Sequence, residues 1–213
     1  MMEAGTHDVE FTDGNFTIAG TDRSVGIVDV AKQSFEAAHL PNDIETGFSE
    51  RANFGPPGCA TFPSGAHCCE VEIDEDTGEV EIVRYSVVDD VGTVINPLLL
   101  KGQIVGGVAQ GIGQVLMEDI KFDGDGQNLT GSFMDYAMPR ATDISAVDIK
   151  SNPVPTRTNP LGVKGAGEAG CVGAMPAVAN ALVDALSHLG VRHIEMPATP
   201  ERLWRAMRDG HAK

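Results

Sequence analysis

Residues 69–88 read CEVEIDEDTGEVEIVRYSVV. Cys69, Val71 and Ile73 alternate with glutamates, and Val80 to Val88 repeats the pattern. A period of two puts apolar side chains on one face of a sheet, so strands are predicted over 69–73 and 80–88. Asp74-Glu75-Asp76-Thr77-Gly78-Glu79 joins them as a hairpin. The seven acids from Glu70 to Glu81 lack the sixth-position glycine of a calcium loop, which leaves a solvated face.

Working outward, Val91 to Pro97 leads into a long helix from about Leu98 to Asp119. Phe133–Met138 and Val147–Ser151 are candidate strands. Pro176 to Leu189 reads as a helix with proline in its first turn and Gly190 as its stop. His193–Met196 reads as a short strand, and Thr199-Pro200-Glu201 opens a final helix with a cap residue and proline at the first position. Towards the N-terminus, Asp8 to Ile18 is a hairpin about Asp13-Gly14, whose residues tolerate positive φ. Thr21 to Leu40 reads as a helix capped by Asp22 or Ser24 and stopped by Pro41. Pro41 to Gly65 is irregular, and Phe54-Gly55-Pro56-Pro57-Gly58 cannot be a regular element. Hairpins and separate helices, rather than regular βαβ alternation, predict an α+β class with mixed sheets and long glycine-rich helices. The expected division is 1–60, an incomplete domain start, and 61–213.

The 213 residues carry a net charge of −16, which makes the chain a poor candidate for nucleic acid or an anionic membrane surface. No apolar run approaches the length of a membrane span, and the N-terminus lacks the basic and apolar regions of a secretory signal. Cys59, Cys68, Cys69 and Cys171 show no disulfide spacing, so reduced thiols in a cytoplasmic protein are expected. Residues 1–96 hold 19 acids and 4 bases, and residues 97–213 hold 12 and 11. The first part reads as a solvated shell, the second as something that packs against a partner or ligand.

Two segments stand out for chemistry. In the helix from 98 to 119, Gly102, Gly106, Ala109 and Gly113 form one stripe, and Gln103, Gly107, Gln110 and Gln114 the next. Each interior glycine costs about 1 kcal/mol relative to alanine. Two readings explain that cost: tight packing of the helix, or a bulky ligand lying on bare backbone and glutamine amides. The second segment, Gly162-Val163-Lys164-Gly165-Ala166-Gly167-Glu168-Ala169-Gly170, has four glycines in nine residues. It contains GxGxxG, but no suitable strand precedes it and no Gly-Lys-Ser/Thr follows, so it is a weak dinucleotide or phosphate loop. Glu168 is either a partner of the following helix dipole or a carboxylate in a dry pocket with the makings of a general base. His67-Cys68-Cys69 has no second pair at metal spacing and reads as structural thiols. Asp89-Asp90 reads as a turn or cap.

Taken jointly, a series of motifs resembles the molybdenum hydroxylases, the family of xanthine dehydrogenase, aldehyde oxidase and aerobic carbon monoxide dehydrogenase. The motifs are Tyr85–Gly92, Ile95-Asn96-Pro97, Gly102–Gly107, Gln110–Gln114, Asn159–Glu168, Pro176–Ala181 and Pro197–Glu201. The resemblance is to the C-terminal part of the large, molybdopterin-binding subunit. It covers residues 60–210 well and the first 60 more loosely. It implies that Glu168 sits beside molybdenum as general base. It further implies that Lys164, Gly165, Ala166 and Gly167 lie against the cofactor, that Gly102 and Gln103 contact the pterin, and that no residue ligates the metal directly. The implied cofactor is molybdenum with molybdopterin, in the cytosine dinucleotide form. The implied reaction is oxidative hydroxylation of an aldehyde or N-heterocycle, or oxidation of CO, with water as the oxygen source. Implied partners are the missing N-terminal half, iron–sulfur and FAD subunits, and a small-molecule substrate, with room for a homo-oligomer. The upstream glycine-rich, arginine-bearing and second glutamine loops of the family are not found, so a fragment or split subunit is expected. The chain alone is expected to be folded, empty and inactive. The rival expectation is a non-catalytic module that binds a partner without metal.

Overall fold

The structure, a computed structural model, describes residues 1–42, 44–49, 51–53, 55, 60–144 and 146–211. Phe54, Pro56–Gly58 and Cys59, for which irregular chain and a thiol were expected, lie outside the described residues. The chain divides into two compact units, Met1–Gly55 and Pro56–Lys213.

In the first unit, β1 (Val9–Thr12) and β2 (Asn15–Ile18) pair antiparallel as the Asp13-Gly14 turn predicts. Both turn residues take positive φ, 49° and 78°, the combination that matches strand twist in a two-residue loop. Phe11 and Phe16 stack tilted across the hairpin with centroids 4.6 Å apart. The helix expected over 21–40 is much shorter. Ser24-Val25-Gly26 forms β3 against β2, and α1 spans only Ile27–Ser34. Thr21 and Asp22 belong to the turn that brings the chain back, with Gly20 at φ 76° and the Ile18 N–H donating to the Arg23 carbonyl. An edge available for pairing overrides helix propensity here.

In the second unit, β4 (Ser64–Ile73) and β5 (Val80–Asp90) form the hairpin read from residues 69–88, with a bulge at Glu70/Val71. Asp74 Oδ1 organises the turn by accepting from the N–H groups of Asp76 and Thr77 at 3.0 and 2.7 Å. β6 (Val147–Ser151) joins β5 in parallel, giving the order β4-β5-β6. α2 (Pro97–Leu116) starts on an Asn96 cap whose side chain accepts from Leu99 N–H at 3.1 Å, with Pro97 at the first position. α3 (Ala169–Ala185) packs against α2 and β4, and α4 (Pro200–His211) closes the chain. Tyr85, Val87, Ile104, Val108, Ile112, Val178, Leu182 and Leu203 are the centre of the core, each at most 1% exposed.

Three expectations are corrected. α3 begins at Ala169, so Pro176 is its eighth residue and not part of its first turn. Phe133–Met138 is a set of turns, tied by Asp135 and Tyr136 N–H groups to the Ser132 carbonyl. Residues 193–196 form no strand, because no sheet edge pairs with them. The class is α+β, and no helix among the described residues is long and apolar enough to cross a membrane.

The glycines of α2 divide in a way the two stripes do not anticipate. A Cβ on Gly107 would lie 2.9 Å from Cys171 N and 3.0 Å from Gly170 Cα, so this glycine and Gly111 let α2 and α3 touch backbone to backbone. Gly113 is crowded by Glu118 and Pro139. Around Gly102 and Gly106 a Cβ would meet nothing within 4 Å. Tight packing therefore accounts for Gly107 and Gly111, while Gly102 and Gly106 face open space.

Candidate functional site

The segment before α3 is anchored and then released. Asn159 clamps it by donating from Nδ2 to the Val163 carbonyl (2.9 Å) and accepting from Val163 N–H (3.1 Å). Lys164 N–H donates to the Val91 carbonyl at 2.9 Å, and Thr93 N–H to the Gly162 carbonyl at 3.0 Å. Gly92 and Gly162 both take positive φ where these backbones cross, and a side chain on Gly92 would strike the Gly162 carbonyl.

Lys164 and Asp90 lock the anchor. The ammonium donates to Asp90 Oδ2 at 2.5 Å, and Asp90 Oδ1 accepts from Gly92 and Val154 N–H groups, each at 2.9 Å. The lysine hydrogen bond first, then the two amides, hold the Asp90 carboxyl well below its usual range, down to about 2. The turn role expected for Asp90 is borne out in this form. The charge of Lys164 is thereby engaged by Asp90.

Beyond Lys164 the loop opens. The N–H groups of Gly165, Ala166 and Gly167 have no protein partner among the described residues, and a Cβ on Gly165 or Gly167 would meet nothing within 4 Å. The Gly167 carbonyl is held from α2 by Gln103 Nε2 at 2.9 Å. Glu168 stands at the N-cap of α3, exposed, and its carboxylate makes no cap hydrogen bond. The chain's own residues thus give it no dry setting.

The candidate residues border two cavities. One of 680 Å³ is lined by Gly165, Gly167, Glu168, His67, Asp89 and Phe62, among others. A second of 350 Å³ is lined by Gln103, Lys164, Ala166, Asn96 and Leu99, among others. Gly102 lines neither.

One part of the larger cavity escaped sequence reasoning. His67 and Asp89 have side chains only 4% exposed. His67 Nδ1 lies 2.8 Å from the hydroxyl of Tyr85, which is fully buried, and Nε2 lies 3.5 Å from Asp89 Oδ1. Asp89 Oδ2 is buried with no partner among the described residues. Burial raises the Asp89 carboxyl above its usual range, and His67 partly opposes the shift. Burial likewise pushes the Cys69 thiol up to about 11, with Cys68 adding to it. A signal existed: Tyr85, Val87 and Asp89 fall at inward positions of an alternating strand, and an acid there is anomalous. Asp89 is therefore a cavity wall residue and not the turn or cap expected of it. Cys68, Cys69 and Cys171 are free thiols.

The molybdopterin cofactor-binding domain family matches the chain over residues 1–145. The gamma subunit of the 6-hydroxypseudooxynicotine dehydrogenase complex of Paenarthrobacter nicotinovorans is 37% identical over 96% of the chain and 26% of its own length. The carbon monoxide dehydrogenase large chain of Hydrogenophaga pseudoflava is 33% identical over 98% of the chain and 26% of its own. The crystal structure of quinoline 2-oxidoreductase from Pseudomonas putida 86 superposes with a TM-score of 0.81 at 34% identity, over 98% of the chain and 27% of that one. The fold and its loop are thus those of a molybdopterin cofactor-binding domain. The chain belongs to the molybdenum hydroxylase family, and it spans about a quarter of the length of the curated relatives it matches.

Proposed function

We propose that the chain is the C-terminal part of a large subunit that performs oxidative hydroxylation, with Glu168 as the general base. The observation that carries this reading is the open loop 165–168. Its backbone donors have no partner among the described residues, its Gly167 carbonyl is pinned by Gln103, and it borders a 680 Å³ cavity that Glu168 also lines. Free N–H groups on a glycine backbone suit the oxygen-rich edge of molybdopterin, so the residues present fit the group. Gly165, Ala166, Gly167 and Gln103 would hold it, with Gly102 on the open face of α2 beside them and Lys164 acting through its bond to Asp90. When bound, the group would supply a redox-active molybdenum that accepts electrons and activates water.

The remaining work falls to side chains of this chain. Glu168 takes a proton at a carboxylate oxygen, and Phe62, Pro63 and Val172 keep the neighbouring wall apolar. The cytosine dinucleotide form, the residue 60 boundary of the cofactor domain, a cytoplasmic location, and assembly with iron–sulfur and FAD subunits belong to the same proposal. The carbon monoxide dehydrogenase and quinoline relatives support a small-molecule substrate.

The test is the assembled large subunit with its partners, as wild type and as Glu168→Gln. Molybdenum content should stay unchanged while turnover falls about 10²–10⁴-fold, the usual worth of a general base. A variant that keeps more than about a tenth of the rate removes Glu168 from that role. An assembly that binds no molybdenum leaves the non-catalytic module standing.

A further inference from the structure

The Tyr85–His67–Asp89 cluster is built, not incidental. Gly65 on β4 leaves room for the Asp89 carboxylate, and a side chain there would overlap it. Gly173 on α3 leaves room for the imidazole: a Cβ would come 2.5 Å from both Cε1 and Nε2 of His67. Two glycines thus make way for one polar pair in a wall that is otherwise apolar.

The hydrogen-bond inventory defines what the pair can hold. With the Tyr85 hydroxyl donating to Nδ1, the Nε2–H of a neutral imidazole is directed at Asp89 Oδ1. An imidazolium donates at both nitrogens, and the tyrosine oxygen then accepts. Asp89 Oδ2 has no partner among the described residues, so it is a vacant position for a proton. No lysine or arginine pairs with Asp89 among the described residues. The pair therefore has several ways to carry one added proton without moving a heavy atom.

We propose that His67 and Asp89 form a one-proton relay in the wall of the Glu168 cavity, taking over the proton that Glu168 collects. This rests on Glu168 being the base. The O–H bond on Glu168 breaks and an O–H bond forms at the unpartnered Asp89 Oδ2, through water in the cavity that both residues line. No electron changes hands, and the proton leaves to solvent in a later exchange. Such a relay matters when the rest of a large subunit covers the cavity and closes the direct route from Glu168 to bulk water. Tyr85 is a positioning residue that holds the imidazole edge.

The titratable groups facing the pair are few. β5 contributes Tyr85, raised by burial and then by the Cys69, Asp89 and Cys68 charges. β4 contributes Cys69, on the same side as His67, while Cys68 is exposed and acts on Tyr85; the loop contributes Glu168. The α3 residues lining the cavity, Ala169, Val172 and Gly173, carry no charge.

Two measurements test the relay. In the 213-residue chain, the Asp89 side-chain carbon is titrated by NMR. Its midpoint should rise in His67→Gln, which removes the opposing partner. A midpoint unmoved by His67→Gln overturns the coupling of the pair. In the assembled enzyme, His67→Gln should lower kcat about 10–100-fold with KM and molybdenum content unchanged, and added imidazole should restore part of the rate. A purely structural role predicts no rescue, and that outcome also overturns the relay. Should His67→Gln fail to assemble, Asp89→Asn is read in the same way. A Glu168→Gln enzyme that stays active sinks the catalytic reading itself. An inactive Glu168→Gln beside a fully active His67→Gln sinks only the relay.

Discussion

Gly111 on α2 and Ala174 on α3 face each other so closely that a Cβ on the glycine would stand 2.6 Å from that of the alanine. Cys171 O and Met175 N would be 3.1 and 3.2 Å away, both backbone atoms that cannot swing aside. Gly111→Ala should therefore destabilise the chain by about 1–3 kcal/mol, the usual cost of overpacking. Gly102→Ala, on the open side of the same helix, should stabilise it by about 0.5–1 kcal/mol through helix propensity alone. Urea unfolding of both variants checks this, and equal effects would mean that the helix contact is not the reason for the glycines.

Gln103→Ala removes the bond that pins the Gly167 carbonyl. An exposed hydrogen bond of this kind is worth about 0.5–1.5 kcal/mol, so global stability should change little. The local effect should be larger: backbone NMR order parameters at residues 165–168 should fall, and molybdenum content of the assembled enzyme should drop. Relaxation measurements that show an unaltered loop would detach Gln103 from the site.

Much of this architecture is legible in residue order, and what is not has identifiable causes. The hairpins at Asp13-Gly14 and at 74–79 carry their turn chemistry locally, and Pro200 marks the start of α4. The start of α3 is different. Ala169-Gly170-Cys171-Val172-Gly173-Ala174 has weak helix propensity, and it is helical because Gly170 and Ala174 meet Gly107 and Gly111 of another helix. The segment 21–40 reads as a helix until β2 offers Ser24–Gly26 an edge. The loop around Glu168 and the glutamine at position 103 stand out as motifs. The link from Gln103 to Gly167, 64 residues apart, was not. The acid at position 89 was seen, yet its burial beside His67 depends on cross-strand register.

Acid should reveal the Asp90–Lys164 lock. The folded-state carboxyl lies near 2, below the ordinary carboxylate value of about 3.9, so its contribution is fully present above that value. It should disappear as pH falls from about 4 through about 2. Asp90→Asn should lower the urea midpoint at pH 6 and flatten its decline between pH 4 and 2. Unfolding curves with the same acid slope in both proteins would contradict the assignment.

Ile95, just before α2, and Leu98 and Leu99, in its first turn, are 68%, 79% and 70% exposed. Three large apolar side chains so close together favour association. The chain should self-associate with rising concentration, and Leu98→Glu with Leu99→Glu should suppress it. Light scattering that shows a monomer at high concentration for the unaltered chain would refute this.

The sheet is not closed in the order in which it is synthesised. β4 and β5 meet across a six-residue turn, but β6 reaches β5 only by pairing Val147 with Tyr85, 62 residues earlier. Between them the chain must lay down α2 and its following turns, the long detour that a parallel partner requires. Early in folding, β5 therefore carries one protected edge and one bare one. Closing so long a loop has a high entropic cost, so the third strand should arrive late. Until then a strand rich in valine and isoleucine stands open to any other extended chain. The parallel pair that completes the native sheet thus also sets the interval during which this protein is most exposed to misassembly.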